Sequence, residues 1–286
     1  MKNHIDQVNM YDFNYSWTKK LDNPPKVFLM GSSTMKFGLS PSIIAHELDY
    51  HSGEVINLAE NARSPIQSFY LLNTLDDEQF DSLDLVIYGI DKWIFSKAYY
   101  EHNKELLYDL DVSQSTDLYF KAEKDIHFNE LLGISTYKRI VGDYETRVDQ
   151  LDVPIDFGAG VLEQKPKNFR DPVKHLFGGE MYSFSNIQFN YLKKIQDFFQ
   201  EKGVKLVLLS TPRRSDWRLD YKNTCRGINS EFDQRLKKKM GSTLLLNHYE
   251  IIHDTLEHEY FNDGIHLNKL GQKYYSSWFC KQIQEL

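Results

Sequence analysis

Cysteine is scarce in this chain: Cys225 and Cys280 are its only two among 286 residues, with no CxxC spacing and no ligand cluster beside them. A disulfide framework and a cysteine-based metal site are both excluded on that count, and two free thiols are expected. Long apolar runs are missing as well. No stretch is long enough to span a bilayer, and the polar, mixed-charge opening Met1–Lys20 holds no apolar signal core. No membrane span is therefore expected. The reading is a cytoplasmic chain, with cell-envelope association open if the sequence is a piece of something longer. Positive charge is in deficit: 34 Lys and Arg stand against 41 Asp and Glu, a net charge of -7 that argues against nucleic acid as a partner. The basic run Lys237-Lys238-Lys239 lacks interleaved aromatics and is expected on a solvated helix face. Internal repeats and low-complexity segments are absent too.

What is present is ample for a packed core, with 41% hydrophobic residues and an aromatic content that also suits an aromatic-lined groove. Five short apolar runs read as buried parallel strands: Val27–Met30, Glu54–Leu58, Leu85–Tyr88, Val204–Ser210 and Thr243–Leu246. Helical patterns lie between them. Ser40-Pro41 opens Ser42–Leu48, and Ser64-Pro65 opens Ile66–Leu75, each a cap followed by proline at the first helical position. Ile187–Glu201 repeats at helical spacing until Gly203 stops it, and a last helix runs from about Asn268. Alternation of this kind predicts an α/β fold, a three-layer α/β/α domain on a five-stranded parallel, flavodoxin-like sheet. The chain is expected to form a single domain over 1–286. The interval between the third and fourth strands is too long for one crossover, so residues 96–185 are expected to form a large insertion capping the carboxyl edge of the sheet. Within it, Asp152-Val-Pro and Phe157-Gly-Ala-Gly read as loops.

The first strand ends in Gly31-Ser32-Ser33-Thr34. Ligands of open α/β sheets bind beyond the carboxyl ends of the strands, so Ser33 stands where chemistry is expected. Gly31 permits a tight turn whose N–H groups can face a developing oxyanion. A phosphate-cradling P-loop is disfavoured, since no Gly-Lys-Ser/Thr follows. Just before the last helix comes Asp263-Gly-Ile-His266-Leu-Asn-Lys-Leu-Gly271. An aspartate and a histidine three apart on a turn can place the carboxylate on one imidazole nitrogen and leave the other for a third group. No metal is expected: His248, His253 and His258 lie close in sequence but lack carboxylates at ligand spacing. No cofactor is expected either.

Together these blocks resemble the SGNH, or GDSL-like, hydrolase superfamily. Gly31-Ser32-Ser33 stands for its Gly-Asp-Ser, with Ser33 as nucleophile. Asn57-Leu-Ala59-Glu-Asn-Ala62 stands for the second block, Gly89-Ile90-Asp91-Lys92 for Gly-x-Asn-Asp, and Asp263 with His266 for the intact Asp-x-x-His. The match covers the sheet core and leaves the insertion uncovered. The Gly-Ser-Ser and Asp-Gly-x-His-Leu-Asn variants look more like the branch of bacterial exopolysaccharide and cell-envelope O-acyltransferase-like proteins. That resemblance implies acyl transfer to or from a glycan or polyol hydroxyl. A carbohydrate or acylated small molecule is then the substrate, and a membrane acyl-donor protein is a candidate partner.

Two positions depart from the pattern. Ala62 replaces a glycine whose backbone N–H serves the oxyanion, and Asp91 replaces an asparagine donor. Asp91 is read three ways: protonated, paired with a base such as Lys92, Arg63 or Arg213, or accepting from a substrate hydroxyl while two backbone N–H groups serve the oxyanion alone; the last is preferred, because an acceptor there suits a sugar. Arg213 and Arg214 follow the fourth strand at the same pole and suit a carboxylate or phosphate on the substrate. The altered blocks also admit a rival reading, a catalytically inactive glycan-binding or assembly protein on the same scaffold.

Overall fold

A computed structural model describes residue 18 and residues 21–72, 75, 77–97, 99–100, 155–162, 183–214, 226–247 and 258–285. The five strands are β1 (Val27–Met30), β2 (Val55–Asn57), β3 (Leu85–Ile90), β4 (Lys205–Ser210) and β5 (Leu244–Asn247). All pair in parallel, in the order β2-β1-β3-β4-β5. The expected α/β architecture is present, and so is the flavodoxin-like strand order.

Strands β1, β2 and β3 are buried throughout and β4 over Leu206–Leu209, which is why they read as continuous runs rather than alternations, while edge strand β5 leaves Leu245 exposed. Successive residues point to opposite sides. Phe28, Met30, Val86, Tyr88, Leu206 and Leu208 enter one core cluster; Val27, Leu29, Leu85, Ile87, Val207 and Leu209 enter the other. The first face is closed by α3 (Pro65–Leu72), α4 (Asn186–Glu201) and α5 (Arg226–Met240). The second is closed by α2 (Pro41–Glu47) and α6 (Lys269–Gln284), through Ile44, Ala45, Tyr275, Phe279 and Cys280. Cys280 is a buried free thiol whose pKa burial pushes up to about 12, so it packs as a small hydrophobe. Cys225 lies outside the described residues.

The proline openings behave as expected: Pro41 sits at the first position of α2, and Ser40 Oγ accepts from the Ile43 N–H. Strand β3 runs two residues beyond the expected Tyr88, because Gly89 and Ile90 pair with Leu209 and Ser210. Helix α3 is described over Pro65–Leu72, and Leu75 lies outside it. Of the expected insertion, Asp152-Val-Pro lies outside the described residues, while 155–162 forms a strap along the second face. Asp156 Oδ1 accepts from Ser42 N, Gly160 N donates to Lys36 O, and Lys269 N donates to Leu162 O. Phe157-Gly-Ala-Gly is indeed irregular backbone, with Asp156 and Phe157 both in the left-handed region.

Candidate active site

The chain runs from β1 to β2 on one side and then to β3 on the other, so the crevice between β1 and β3 is the topological switch point. Its carboxyl end is built by the turn after β1. Gly31 has φ +133, and an added Cβ would lie 3.1 Å from the Gly89 carbonyl oxygen, so only glycine fits between the two strand ends. Ser32 precedes the short helix α1 (Ser33–Lys36), its hydroxyl turned to Thr34 Oγ1, leaving Ser33 at the first position, half-buried.

The other half of the site is carried in front of α6. Asn268 caps that helix: its Oδ1 accepts from Gly271 N at 3.0 Å, and its Nδ2 donates to the Glu259 and Phe261 carbonyls. One side chain thus fixes both the helix start and the turn Asp263–His266 just before it. Asn268→Ala is expected to cost about 1–2 kcal/mol, read as a lowered denaturation midpoint with an unchanged m-value.

In that turn Asp263 Oδ1 accepts from the N–H groups of Ile265 and His266, both at 2.8 Å. Its Oδ2 meets His266 Nδ1 at 2.7 Å. The opposite ring nitrogen, Nε2, lies 2.8 Å from Ser33 Oγ. Ser33, His266 and Asp263 therefore form one unbroken relay across the crevice, although Ser33 and His266 are 233 residues apart. Burial opposes ionisation of Asp263, but the hydrogen bonds from His266 and the two N–H groups outweigh it and hold its pKa below the usual value. The Phe37 ring stands edge-on to the imidazole, with centroids 5.5 Å apart, and covers it.

The loop after β2 carries the second block. Asn57, fully buried, donates from Nδ2 to the Met35 and Leu39 carbonyls and accepts from Ala59 N. It braces the serine helix rather than facing the crevice. Glu60, also buried, pairs with Lys36 at 2.6 Å and accepts from Asn61 N, tying the loop to the same helix. Ala62 has φ +54, the left-handed conformation that a glycine adopts without strain. It is held there by Tyr99, whose hydroxyl donates to the Ala62 carbonyl. Among the described residues, neither Ser33 N–H nor Ala62 N–H donates a hydrogen bond, which suits both to an oxyanion.

Asp91, at the end of β3, is 4% exposed. Its Oδ1 accepts from Trp93 N at 3.1 Å and from Arg213 Nη2 at 2.6 Å. Of the three readings open for Asp91, the ion pair with a base is the one present, and the base is Arg213. Lys92 turns instead to Asp233, and Arg63 donates to the Leu58 carbonyl. The neighbouring Arg214 donates its backbone N–H to the Gly264 carbonyl, inside the aspartate–histidine turn. His248 and His253 lie outside the described residues, and no group of three metal-ligating side chains occurs among the described ones. Lys237, Lys238 and Lys239 are exposed in the last turn of α5.

Phe37, Asn57 and the Lys36–Glu60 pair are supports that sequence reasoning did not single out. Asn57 had a signal, its place at the head of the second block; the other three had none, since each matters only through a contact distant in sequence.

No family model matches the chain, and no curated protein matches it. Among solved structures, it is similar to a GDSL-like lipase from Bacteroides thetaiotaomicron, at 11% identity and a TM-score of 0.45, covering 97% of this chain and 98% of that one. It is also similar to a protein described as an acylhydrolase from Bacteroides fragilis, at 11% identity and a TM-score of 0.42, covering 100% and 96%. A third is a protein described as lipolytic, of the G-D-S-L family, from Desulfitobacterium hafniense, at 12% identity and a TM-score of 0.41, covering 91% and 99%.

Proposed function

We propose that this chain is a serine acyl-ester hydrolase or O-acyltransferase of the SGNH kind, acting on an acyl group carried by a glycan or polyol hydroxyl. The observation that carries this reading is the Ser33–His266–Asp263 relay at the carboxyl end of the sheet, with both links under 3 Å. Ser33 Oγ attacks the acyl carbonyl as its proton passes to His266 Nε2, and a tetrahedral oxyanion forms. The N–H groups of Ser33 and Ala62 serve that oxyanion. Collapse breaks the ester bond, and the imidazolium returns its proton to the departing alkoxide. In the second half, His266 takes a proton from water or from a sugar hydroxyl as its oxygen attacks the acyl carbonyl; collapse breaks the acyl–Ser33 Oγ bond, the imidazolium returns its proton to Ser33 Oγ, and the acid or the acylated sugar leaves. Asp263 keeps the Nδ1 proton in place throughout and favours the charged ring.

The test uses a fluorophosphonate probe and p-nitrophenyl acetate. Stoichiometric labelling mapped to Ser33, absent in Ser33→Ala, is the expected result, together with acetate release that a saccharide acceptor diverts to acetyl-sugar if transfer dominates. An unlabelled wild-type chain that still binds glycans would overturn the enzyme reading in favour of the scaffold-protein rival.

A further inference from the structure

We infer that Asp91 and Arg213 act as one electrostatic unit at the nucleophile, in which Arg213 supplies the positive charge that stops the buried Asp91 carboxylate from opposing the oxyanion. This rests on Ser33 acting as nucleophile.

Register sets the two groups beside the reaction. Met30 pairs with Tyr88 across β1 and β3. β1 leaves the sheet at Met30 and turns into the helix that carries Ser33, while β3 runs on to Ile90 and Asp91 follows it, so both groups stand beyond the carboxyl ends of adjacent strands. Gly31 and Gly89 pack within a side chain's width of each other there, which keeps the two strand ends close. A carboxylate alone at that place would repel the negative charge forming on the acyl oxygen, strongly so at a buried site.

Arg213 cancels that charge by construction. It follows β4, the strand next to β3, with Ile90 paired to Ser210. Its guanidinium meets Asp91 Oδ1 at 2.6 Å, and both side chains are largely buried. The carboxylate is aimed from its own turn by the Trp93 N–H. The next residue, Arg214, hydrogen-bonds Gly264 between Asp263 and His266, so the cation is held between the end of β3 and the acid–base turn. Other charged groups at this end of the sheet have partners of their own: Asp263 on the His266 ring, and Lys36 from α1 on Glu60 from the β2 loop. Lys92 is matched to Asp233 of α5, and the Arg63 guanidinium is hydrogen-bonded to the Leu58 carbonyl. Only the Asp91–Arg213 balance changes in the variants below.

The experiment measures p-nitrophenyl acetate turnover and its pH profile for Arg213→Met, Asp91→Asn and the double variant. Arg213→Met should lose about 10²-fold in kcat. Its acid limb should move to higher pH, because an unmatched carboxylate favours the imidazolium that cannot act as base. Asp91→Asn should move the limb the other way, since an unmatched guanidinium disfavours the imidazolium. The double variant should be at least tenfold faster than Arg213→Met, with the limb returned. Should Arg213→Met fail to fold, the double variant is read against wild type and should lie within about tenfold of it. A double variant about 10²-fold below wild type, or limbs that do not move in any variant, would overturn the inference. Full activity in Ser33→Ala would instead remove the reading beneath it.

Discussion

Asp263→Asn is expected to lower kcat by about 10⁴-fold while the chain stays folded. In the native turn, Asp263 Oδ1 takes two backbone N–H groups and Oδ2 takes His266 Nδ1. An asparagine must keep its single oxygen for the two N–H groups, so its amide nitrogen faces the ring. That nitrogen donates, which forces Nδ1 to accept and moves the ring proton to Nε2. The imidazole then meets Ser33 Oγ with a proton already in place and cannot remove another. Fluorophosphonate labelling should slow in parallel, while KM for p-nitrophenyl acetate should change little. Unaltered turnover would show that Asp263 does not set the tautomer. The same carboxylate gives a pH prediction. Its folded pKa is depressed, so its contribution to stability is complete above the unfolded value near 3.9 and is lost as pH falls through the folded one. An acid titration followed by circular dichroism should therefore show wild type losing more stability than Asp263→Asn as pH falls through that range.

How much of this was legible in the sequence follows the range of each interaction. The five strands were visible as unbroken apolar runs, which burial on both faces leaves in β1 to β4. The reading of β3 stopped at Gly89, since a glycine looks like a strand end when its neighbour strand is unseen. Helix α5 was not delimited: among the described residues its core contacts are Phe232, Leu236 and Met240, one stripe at four-residue steps inside a charged segment. Asp263 and His266 were legible because their contact is made within one turn. Ser33 needed the sheet to bring it to His266 from 233 residues away. The pairing of Asp91 was not legible at all, because Lys92, Arg63 and Arg213 were equally good candidates until the register placed β4 beside β3. The left-handed Ala62 was signalled only by its place at a glycine of the second block, since alanine itself carries no sign of positive φ.

Gly89→Ala is expected to damage both the fold and the site. The missing side chain of Gly89 is the socket for Met35: an added Cβ would lie 1.8 Å from Met35 Cγ and 3.2 Å from its Cβ. Met35 is fully buried in α1, two residues after Ser33. Rotation about χ1 can carry Met35 Cγ out of the clash only by leaving its socket, and the Cβ contact still asks α1 to give by a few tenths of an ångström. Asn57 holds the Met35 carbonyl from the other side, so the strain is shared between β3 and the brace. Overpacking of this kind costs about 1–3 kcal/mol. Displacement of Ser33 from the 2.8 Å contact with His266 should cost about 10²-fold more in turnover, the usual penalty for a shift near 1 Å. A double variant separates this from loss of fold alone. Met35→Ala empties the socket that Gly89→Ala fills, so the pair should recover stability and labelling rate relative to Gly89→Ala. The coupling should be clearly non-additive, as contacting residues give. Additive losses would show that Met35 can find another place, and that the glycine is not what seats the nucleophile helix.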